Sequence, residues 1–465
     1  MTQGKYNLLY RFFRSQIEFG YYSRGDCLPT LETLHQIYGT AVRTVRSAYL
    51  QLQDEGYISL SSGRRTVVVW DAGAEEAFVR SQDYYLARQE GFRLLEEGLA
   101  QVLPPLLLQG CGQLKKRDMQ QIKMVAACED GSFYIAYFSG RQMLAALHNG
   151  LLAALYDEIA SYYQFPHLLY QRLAPGDTGA RLQALARQVV AACEREDRAE
   201  LYASTVALQT LLSKSIRAYI AEAGQRRPPQ AQIPFAWEIY GPRPQACYSL
   251  AAQLVERIVL DGEFAPGAPL PSYRALAQAH GVSFSTARRS VDLLEHLGLA
   301  APQHGVATQV TWPQADPSGQ MGRTAHKLLV MLSEVLQIFQ LAFDGLMAPF
   351  AAEWARRSER CAAALGALDS GGFLLFFRCL GFLLRETENP ALREILTKLY
   401  EALLLGMPLV EARARTQPDP RRQAVNRALL RSVETADFGL FQEMLRGLAR
   451  QAGEAAAGLD EKPKE

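Results

Sequence analysis

The sequence has 465 residues, of which 49% are hydrophobic and 21% are charged, so a large folded core is expected and wholesale disorder is excluded. The formal net charge is +1, so a surface that binds a polyanion must be local. Seven scattered cysteines form no Cys-x-x-Cys pair, which predicts reduced thiols. Arg11 and Arg14 interrupt the apolar N-terminus, and Asp344 and Glu353 interrupt the most apolar stretch. These charges favour neither a signal peptide nor a membrane span, and the scattered cysteines favour a cytoplasmic protein.

An internal repeat organises the chain. Residues 6–70 align with residues 248–312 without a gap, and 17 of the 65 columns are identical, including several glycines. Because glycines fix turns, shared glycines predict a shared chain path. Each copy is followed by a long stretch of helical pattern, and a Pro-rich segment separates the two halves. The predicted domains are a first module, a helical domain, a linker, a second module and a second helical domain, at residues 1–70, 75–224, 225–244, 245–313 and 318–457.

Each copy shows the pattern of three helices and a two-stranded ribbon. In the first copy, a helix ends at Gly20, Thr30 can cap a short second helix, and a third helix begins near Ala41. The spacing of the third helix predicts four buried positions, which are Val45, Ala48, Tyr49 and Leu52. The equivalent positions of the second copy are Ala287, Ser290, Val291 and Leu294. The sequence therefore predicts a mainly α protein with two winged helix-turn-helix modules, each followed by an all-helical domain, in a duplicated, pseudo-dimeric arrangement.

Both copies contain the string G-x-x-L-P-x-x-x-x-L-x-x-x-x-G-x-x-x-x-T-[VA]-R, followed by a wing that ends in G-x-x-T-x-V. This string resembles the GntR-type winged-helix family of bacterial transcription regulators. The helical segments loosely resemble the effector domain of its FadR-like branch. The resemblance implies that the Arg of the T-[VA]-R string, Arg46 or Arg288, contacts bases, and that the wing tip approaches the minor groove.

The two copies depart from the family pattern at different places. Copy one has Glu32 where copy two has Arg274, and a glutamate there would repel a phosphate. Copy one has Arg64 and Arg65 at the wing tip, whereas copy two has the uncharged pair Val306 and Ala307. Each copy is thus expected to use a different part of the DNA-binding surface.

These observations give the predicted site residues. The predicted DNA-binding residues are Thr30, Arg43, Thr44, Arg46, Arg64, Arg65, Ser272, Arg274, Ser283, Ser285, Thr286, Arg288 and Arg289. Four polar residues among apolar helices are candidates for binding a small ligand, with core packing as the alternative: Tyr134, Tyr137, Arg141 and Tyr162.

No metal, cofactor or catalytic site is predicted. Many FadR-like domains bind a metal through one Asp and three His, but here Phe377-Arg378 occupies the Phe-His position. The three histidines outside the modules, His148, His167 and His326, lack ligand spacing. No phosphate loop and no Gly-x-Ser-x-Gly motif is present, so the chain is not expected to be an enzyme.

The predicted function is a sequence-specific DNA-binding transcription regulator, acting as a repressor, whose two modules bind two unlike half-sites of a double-stranded operator. A small-molecule effector is an expected partner, and both a monomeric pseudo-dimer and a homodimer remain open. The charge of the modules is low, at +3 over residues 1–70 and zero over residues 243–312. This low charge keeps one alternative open, a protein-interaction adaptor whose winged helices no longer bind DNA.

Overall fold

The structure is a computed structural model of the chain. It describes residues 2–60, 65–71, 73–126, 131–164, 177–240, 245–302, 307–312, 322–366, 372–416 and 419–460. These residues are mostly helical, as predicted, and they form two compact units, Met1–Phe235 and Ala236–Glu465. Each unit contains one winged-helix module and one helical domain.

The first module has the predicted element order. Its elements are α1 (Thr2–Glu18), α2 (Leu31–Tyr38), α3 (Val42–Asp54), β1 (Ile58–Ser59) and β2 (Val67–Val68). Helix α1 packs on α3, and the four predicted core residues of α3 are all fully buried. Gly20 (φ +74°) and Gly39 (φ +54°) adopt the left-handed conformation that follows α1 and α2, which explains the glycine at both turns.

The first helical domain consists of eight described helices. They are α4 (Ala74–Leu86), α5 (Gln89–Leu99), α6 (Leu103–Gln113), α7 (Lys116–Ala126), α8 (Gly131–Ala145), α9 (Gly150–Tyr163), α10 (Asp177–Glu194) and α11 (Arg198–Arg226). Helix α8 lies at the centre, because α6, α7, α9 and α10 all pack against it. Helix α9 also contacts α1, which joins the helical domain to the module.

The described part of the Pro-rich segment that follows α11 forms no helix or strand, and it contacts the first helical domain. Helix α11 reaches Arg226, and the chain that follows lies on the first helical domain. Gln232 donates its side-chain amide to the Leu86 carbonyl (2.8 Å), and the Ile233 N–H donates to the Ala87 carbonyl (2.6 Å). Phe235 is 4% exposed, so this part of the segment belongs to the core of the first unit.

The second module repeats the first with one local change. Its elements are α12 (Gln245–Val255), α13 (Tyr273–His280), α14 (Phe284–His296), β3 (Ala300–Ala301) and β4 (Gln309–Val310). Helix α12 continues into a π-helical turn, Glu256–Leu260, which has no counterpart in α1. All four predicted core residues of α14 are fully buried.

The second helical domain consists of α15 (Arg323–Ala351), α16 (Trp354–Leu365), α17 (Leu374–Glu386), α18 (Pro390–Thr416), α19 (Pro420–Glu434) and α20 (Phe438–Asp460). In the described part of the chain, α15 alone is long and apolar enough to cross a membrane. Half of its most apolar window is buried, and α15 packs on α18 and α20 as a core helix does.

Candidate nucleic-acid interface

Residues 25–29, which precede α2 and contain the Leu-Pro pair of the repeated string, are called the Leu-Pro stretch. This stretch pairs with β2, the returning strand of the wing. The Gly25 N–H donates to the Val68 carbonyl, the Leu28 N–H donates to the Thr66 carbonyl, and the Val68 N–H donates to the Asp26 carbonyl, each at 2.9 Å. The stretch therefore acts as a third strand of the wing as well as a turn. The repeat pattern did not predict this pairing.

The second module has the same hydrogen bonds at the aligned positions. The Gly267 N–H donates to Val310 (2.8 Å), the Leu270 N–H donates to Thr308 (2.8 Å), and the Val310 N–H donates to Ala268 (2.9 Å). Because Gly25, Leu28, Thr66 and Val68 align with identical residues, this pairing accounts for four identical columns of the repeat. It also fixes the position of the wing relative to the helix that follows.

Helix α3 presents the predicted cations of the first module. Arg43 and Arg46 are exposed on it, whereas Thr44 is only 7% exposed and faces the core. Ala41 stands at the N-cap and provides no side-chain hydrogen bond. The hydroxyl of Tyr49 donates to the Pro29 carbonyl (2.8 Å), which ties α3 to the Leu-Pro stretch.

Helix α14 has a different N-terminus. Ser283 is its N-cap and accepts from the Thr286 N–H at 3.1 Å. The Ser283 hydroxyl also lies 2.9 Å from the Ser285 hydroxyl, which is exposed. Arg288 and Arg289 are exposed one turn further along.

The preceding helices carry the second group of predicted residues. Thr30 caps α2 and Ser272 caps α13, each accepting from the N–H three residues later. Glu32 and Arg274 are exposed in the first turns of these helices. A glutamate there complements the positive end of the helix dipole, so Glu32 favours the helix while it disfavours a phosphate.

The exposed arginines that were predicted to bind DNA have no carboxylate partner among the described residues. In the described ranges no ion pair involves Arg43, Arg46, Arg65, Arg274, Arg288 or Arg289. By contrast, Arg11 on α1 pairs with Glu158 at 2.8 Å, and Arg14 pairs with Glu18 at 3.1 Å. Unpaired guanidinium groups on the recognition helices, α3 and α14, can therefore bind phosphates or guanine. Of the wing-tip residues, Arg65 and Ala307 are exposed, while Arg64 and Val306 lie outside the described residues.

Two of the predicted ligand-binding residues come together in the first helical domain. Tyr137 donates to Asp157 at 2.6 Å, and the Arg141 Nε donates to the same carboxylate oxygen at 2.8 Å. The Tyr137 ring lies 6.1 Å from the ring of Tyr38, at the end of α2. Burial raises the pKa of the Tyr137 hydroxyl well above its usual value, so the hydroxyl remains a donor. Asp157 therefore joins α9 to α8 within the helical domain, and the Tyr137 ring connects this cluster to the module.

Tyr162 takes part in a different cluster. Its hydroxyl donates to the Ile233 carbonyl at 2.6 Å, and its ring packs edge-on against Phe235 at 5.5 Å. Tyr162 thus holds the extended Pro-rich segment. The side chain of Tyr134 lies outside the described residues.

The second unit contains a polar cavity between the module and its helical domain. The cavity measures about 160 Å³. It is lined by Glu256 of the π turn, by Asp261 directly after that turn, and by Arg378, Arg385 and Tyr400 of the helical domain. The Tyr400 hydroxyl donates to Glu256 at 3.2 Å. Burial raises the pKa of the Glu256 carboxyl, and nearby Asp261 adds to the effect. A separate apolar cavity beside α15 measures only about 30 Å³, which is room for about one water molecule.

Two buried cysteines are held as thiols, Cys27 is exposed, and the described residues offer no cluster for a metal ion. They contain no group of three His, Cys, Asp or Glu side chains that could hold a metal ion. His148 is exposed, whereas His167 lies outside the described residues. Burial raises the pKa of the Cys111 thiol to about 11 and that of Cys193 to about 12, which keeps both thiols protonated.

Two exposed apolar residues escaped the sequence analysis. Val42 and Phe284 are the first residues of the recognition helices, and they are 38% and 56% exposed. The two residues align in the repeat. An apolar residue at this position in both copies was the sequence pattern that could have identified them.

Comparison with known proteins matches both modules to one family. The family described as "Bacterial regulatory proteins, gntR family" matches residues 5–68 and 248–310. No curated protein matches the chain.

Three solved structures show weak overall similarity. One is described by the words "Lar controls the expression of the Listeria monocytogenes agr system and mediates virulence", at 14% identity and a TM-score of 0.20, covering 46% of this chain and 96% of that one. The second is Streptococcus agalactiae GntR, at 15% identity and a TM-score of 0.18, covering 44% and 99%. The third is E. coli McbR/YncC, at 14% identity and a TM-score of 0.21, covering 48% and 97%.

The family match falls on the segments that the repeat had delimited. It covers the helices, the caps and the wings described above, and it leaves the helical domains unmatched. Residues 5–68 and 248–310 are therefore two GntR-type winged helix-turn-helix domains carried in tandem by one chain.

Proposed function

We propose that the protein is a sequence-specific transcription regulator that binds one double-stranded operator through both modules. The observation that carries this proposal is the pair of recognition helices, each with exposed arginines that no described carboxylate neutralises. Since the residues of α3 and α14 differ, the operator has two unlike half-sites. The regulator acts as a repressor when its bound modules exclude other proteins from the DNA.

Because each module has a low net charge, we expect tight binding to an operator to need both modules. Residues 243–312 carry no net charge and residues 1–70 carry only +3, so each module alone binds weakly. Two modules on one chain bind an operator with a raised effective concentration, provided that both can dock. Under this proposal a single chain supplies two DNA-binding modules. Regulators with one module per chain need a dimer to do the same.

The test begins with selection of bound sequences from random DNA by the intact chain. Arg46→Ala and Arg288→Ala should each weaken binding by about 1–3 kcal/mol and relax specificity at one half-site only. Arg80→Ala is the matched control, because Arg80 is an exposed arginine outside the modules that is already paired with Glu76 at 2.7 Å. It should leave binding unchanged.

Two outcomes contradict the proposal. A set of symmetric selected sites would exclude two unlike half-sites. The absence of any salt-dependent DNA binding would instead favour the adaptor, an alternative that the exposed Glu32 and the zero net charge of the second module support.

The proposed effector site is the polar cavity of the second unit. Glu256 and Asp261 can accept from a donor, and Arg385, which is 3.9 Å from Glu256, can bind an anionic group. A ligand there would contact the π turn of the module and the helical domain at once. It should raise the melting temperature and change operator affinity, and Arg385→Ala should abolish both effects.

A further inference from the structure

Each recognition helix begins with a large apolar side chain that is exposed. Val42 opens α3 and Phe284 opens α14, with 38% and 56% of each residue exposed. Most other large apolar residues of the two modules are buried or half-buried. An apolar residue in the same exposed position of both modules therefore calls for an explanation beyond packing.

The Phe284 ring is held in a defined orientation. It lies 5.8 Å from the ring of Tyr273, and the two planes meet at 81°, which is the edge-to-face geometry that aromatic pairs prefer. Tyr273 is the first residue of α13, so the contact joins the N-termini of the two helices of the helix-turn-helix. The ring is thereby positioned in advance of any binding partner.

The chemistry of the major groove suggests what these side chains contact. Residues at the N-terminus of a recognition helix reach base edges. The thymine C5-methyl is the apolar group that these edges present, and phenylalanine is among the side chains that contact it. Ser285, Arg288 and Arg289 are exposed on the same helix, and such cationic and hydroxyl neighbours suit a DNA surface better than an apolar protein partner.

We propose that Phe284 and Val42 bind thymine methyl groups, one in each half-site, and so require thymine at a defined position. This inference rests on the proposed function, because it needs the recognition helices to enter the major groove. The larger and positioned Phe284 should impose the stronger requirement. The two half-sites would then differ in how strictly they require thymine.

The experiment removes single methyl groups from the DNA. Each thymine of a selected operator is replaced in turn by deoxyuridine, which lacks only the C5-methyl, and binding of the intact chain is measured. At one thymine of the half-site bound by the second module, the replacement should weaken binding by about fourfold, the effect expected for one buried methyl group. Phe284→Ala should bind both DNAs equally at that position, while Phe284→Leu should retain part of the difference.

Two controls separate this inference from general damage. Phe284 is 56% exposed and loses only its edge-to-face contact with Tyr273, so Phe284→Ala should lower the melting temperature by no more than a few degrees. Arg288→Ala should weaken binding to the thymine and deoxyuridine operators by the same factor, because it removes a different contact.

The outcomes are distinguishable. Selected operators whose binding never depends on a thymine methyl, or a methyl effect that persists in both Phe284→Ala and Val42→Ala, would overturn this inference and leave the proposed function intact. A failure to select any operator would overturn both.

Discussion

The two units share a backbone plan in their modules but use different side chains to attach each module to its helical domain. In the first unit, Arg11 pairs with Glu158 and Tyr38 packs on Tyr137. In the second unit, Ser249 donates to Glu401 at 2.9 Å. The wing hydrogen bonds, by contrast, are the same in both. Backbone pairing and left-handed glycines thus preserve the path of a repeat while its contact surfaces diverge.

The largest expected effect tests the buried cluster that holds Tyr137, the residue on which Tyr38 of the module packs. Asp157→Ala should lower the free energy of unfolding by about 3–5 kcal/mol, because it leaves the largely buried Arg141 guanidinium and the Tyr137 hydroxyl without their acceptor. Urea denaturation of the intact chain measures the change. Glu158→Ala removes only the half-exposed pair with Arg11 and should cost less than about 1 kcal/mol. Equal losses in the two variants would refute the assigned role of Asp157.

A second comparison concerns close helix crossings in the two helical domains. A Cβ added at Gly110 would lie 1.9 Å from the Met143 carbonyl oxygen, whereas one at Gly406 would lie 2.6 Å from the Cβ of Leu332. The Cβ of Leu332 is fixed to its backbone and also yields little, but the overlap at Gly110 is deeper. Gly110→Ala should therefore cost about 3 kcal/mol and Gly406→Ala about 1–2 kcal/mol. Both are measured by urea denaturation.

Gly112, on the same helix as Gly110, provides the control. A Cβ added at Gly112 would meet no atom of a neighbouring element within 4 Å, so Gly112→Ala should stabilise α6 by up to about 1 kcal/mol. If Gly112→Ala were destabilised, α6 would be intolerant of alanine in general. The loss at Gly110 could then not be assigned to the close approach of α8.

The third prediction exchanges the charge that distinguishes the modules. Glu32→Arg should tighten operator binding about fivefold and steepen the dependence of log affinity on log salt by about 0.9, the effect of one added phosphate contact. Arg274→Glu should change both quantities in the opposite direction. Titrations at several salt concentrations measure them. A Glu32→Arg variant with an unchanged salt slope would place α2 away from the DNA backbone.

The smallest expected effect concerns the helix caps. Ala41 has the extended backbone of an N-cap (φ −62°, ψ 140°) but offers no acceptor, whereas Ser283 caps α14 in the same conformation. Ala41→Ser should therefore stabilise the first module by about 1 kcal/mol, and Ser283→Ala should destabilise the second by a similar amount. Thermal melting measures both, and shifts of the same sign would contradict the comparison.

The modules were predictable from sequence because the repeat supplied two independent versions of one pattern. Apolar spacing identified the core of α3 and α14, and the shared glycines identified the turns. The pairing of the Leu-Pro stretch with the wing was missed, since a turn signal is local while strand pairing joins distant residues.

The attachments could not have been predicted in this way. Tyr137 and Arg141 were recognised as unusual polar residues among apolar helices, but their partner Asp157 lies on another helix, and no local spacing reveals such a pair. Thr44 was expected among the DNA-binding residues, and it faces the core because its position on α3 lies beside Val45. DNA binding by Thr44 stays a prediction, and only the small exposed part of its side chain could make the contact.

The pairing of the Leu-Pro stretch with the wing couples the two segments when either one unfolds locally. The hydrogen bonds between residues 25–28 and 66–68 tie the base of the wing to the segment that leads into α2. The wing therefore cannot fray without releasing the start of that helix, and their amides should exchange with solvent as one cooperative group. A phosphate that orders the wing tip would then also slow exchange at Leu28, although Leu28 itself lies 4% exposed beneath the surface.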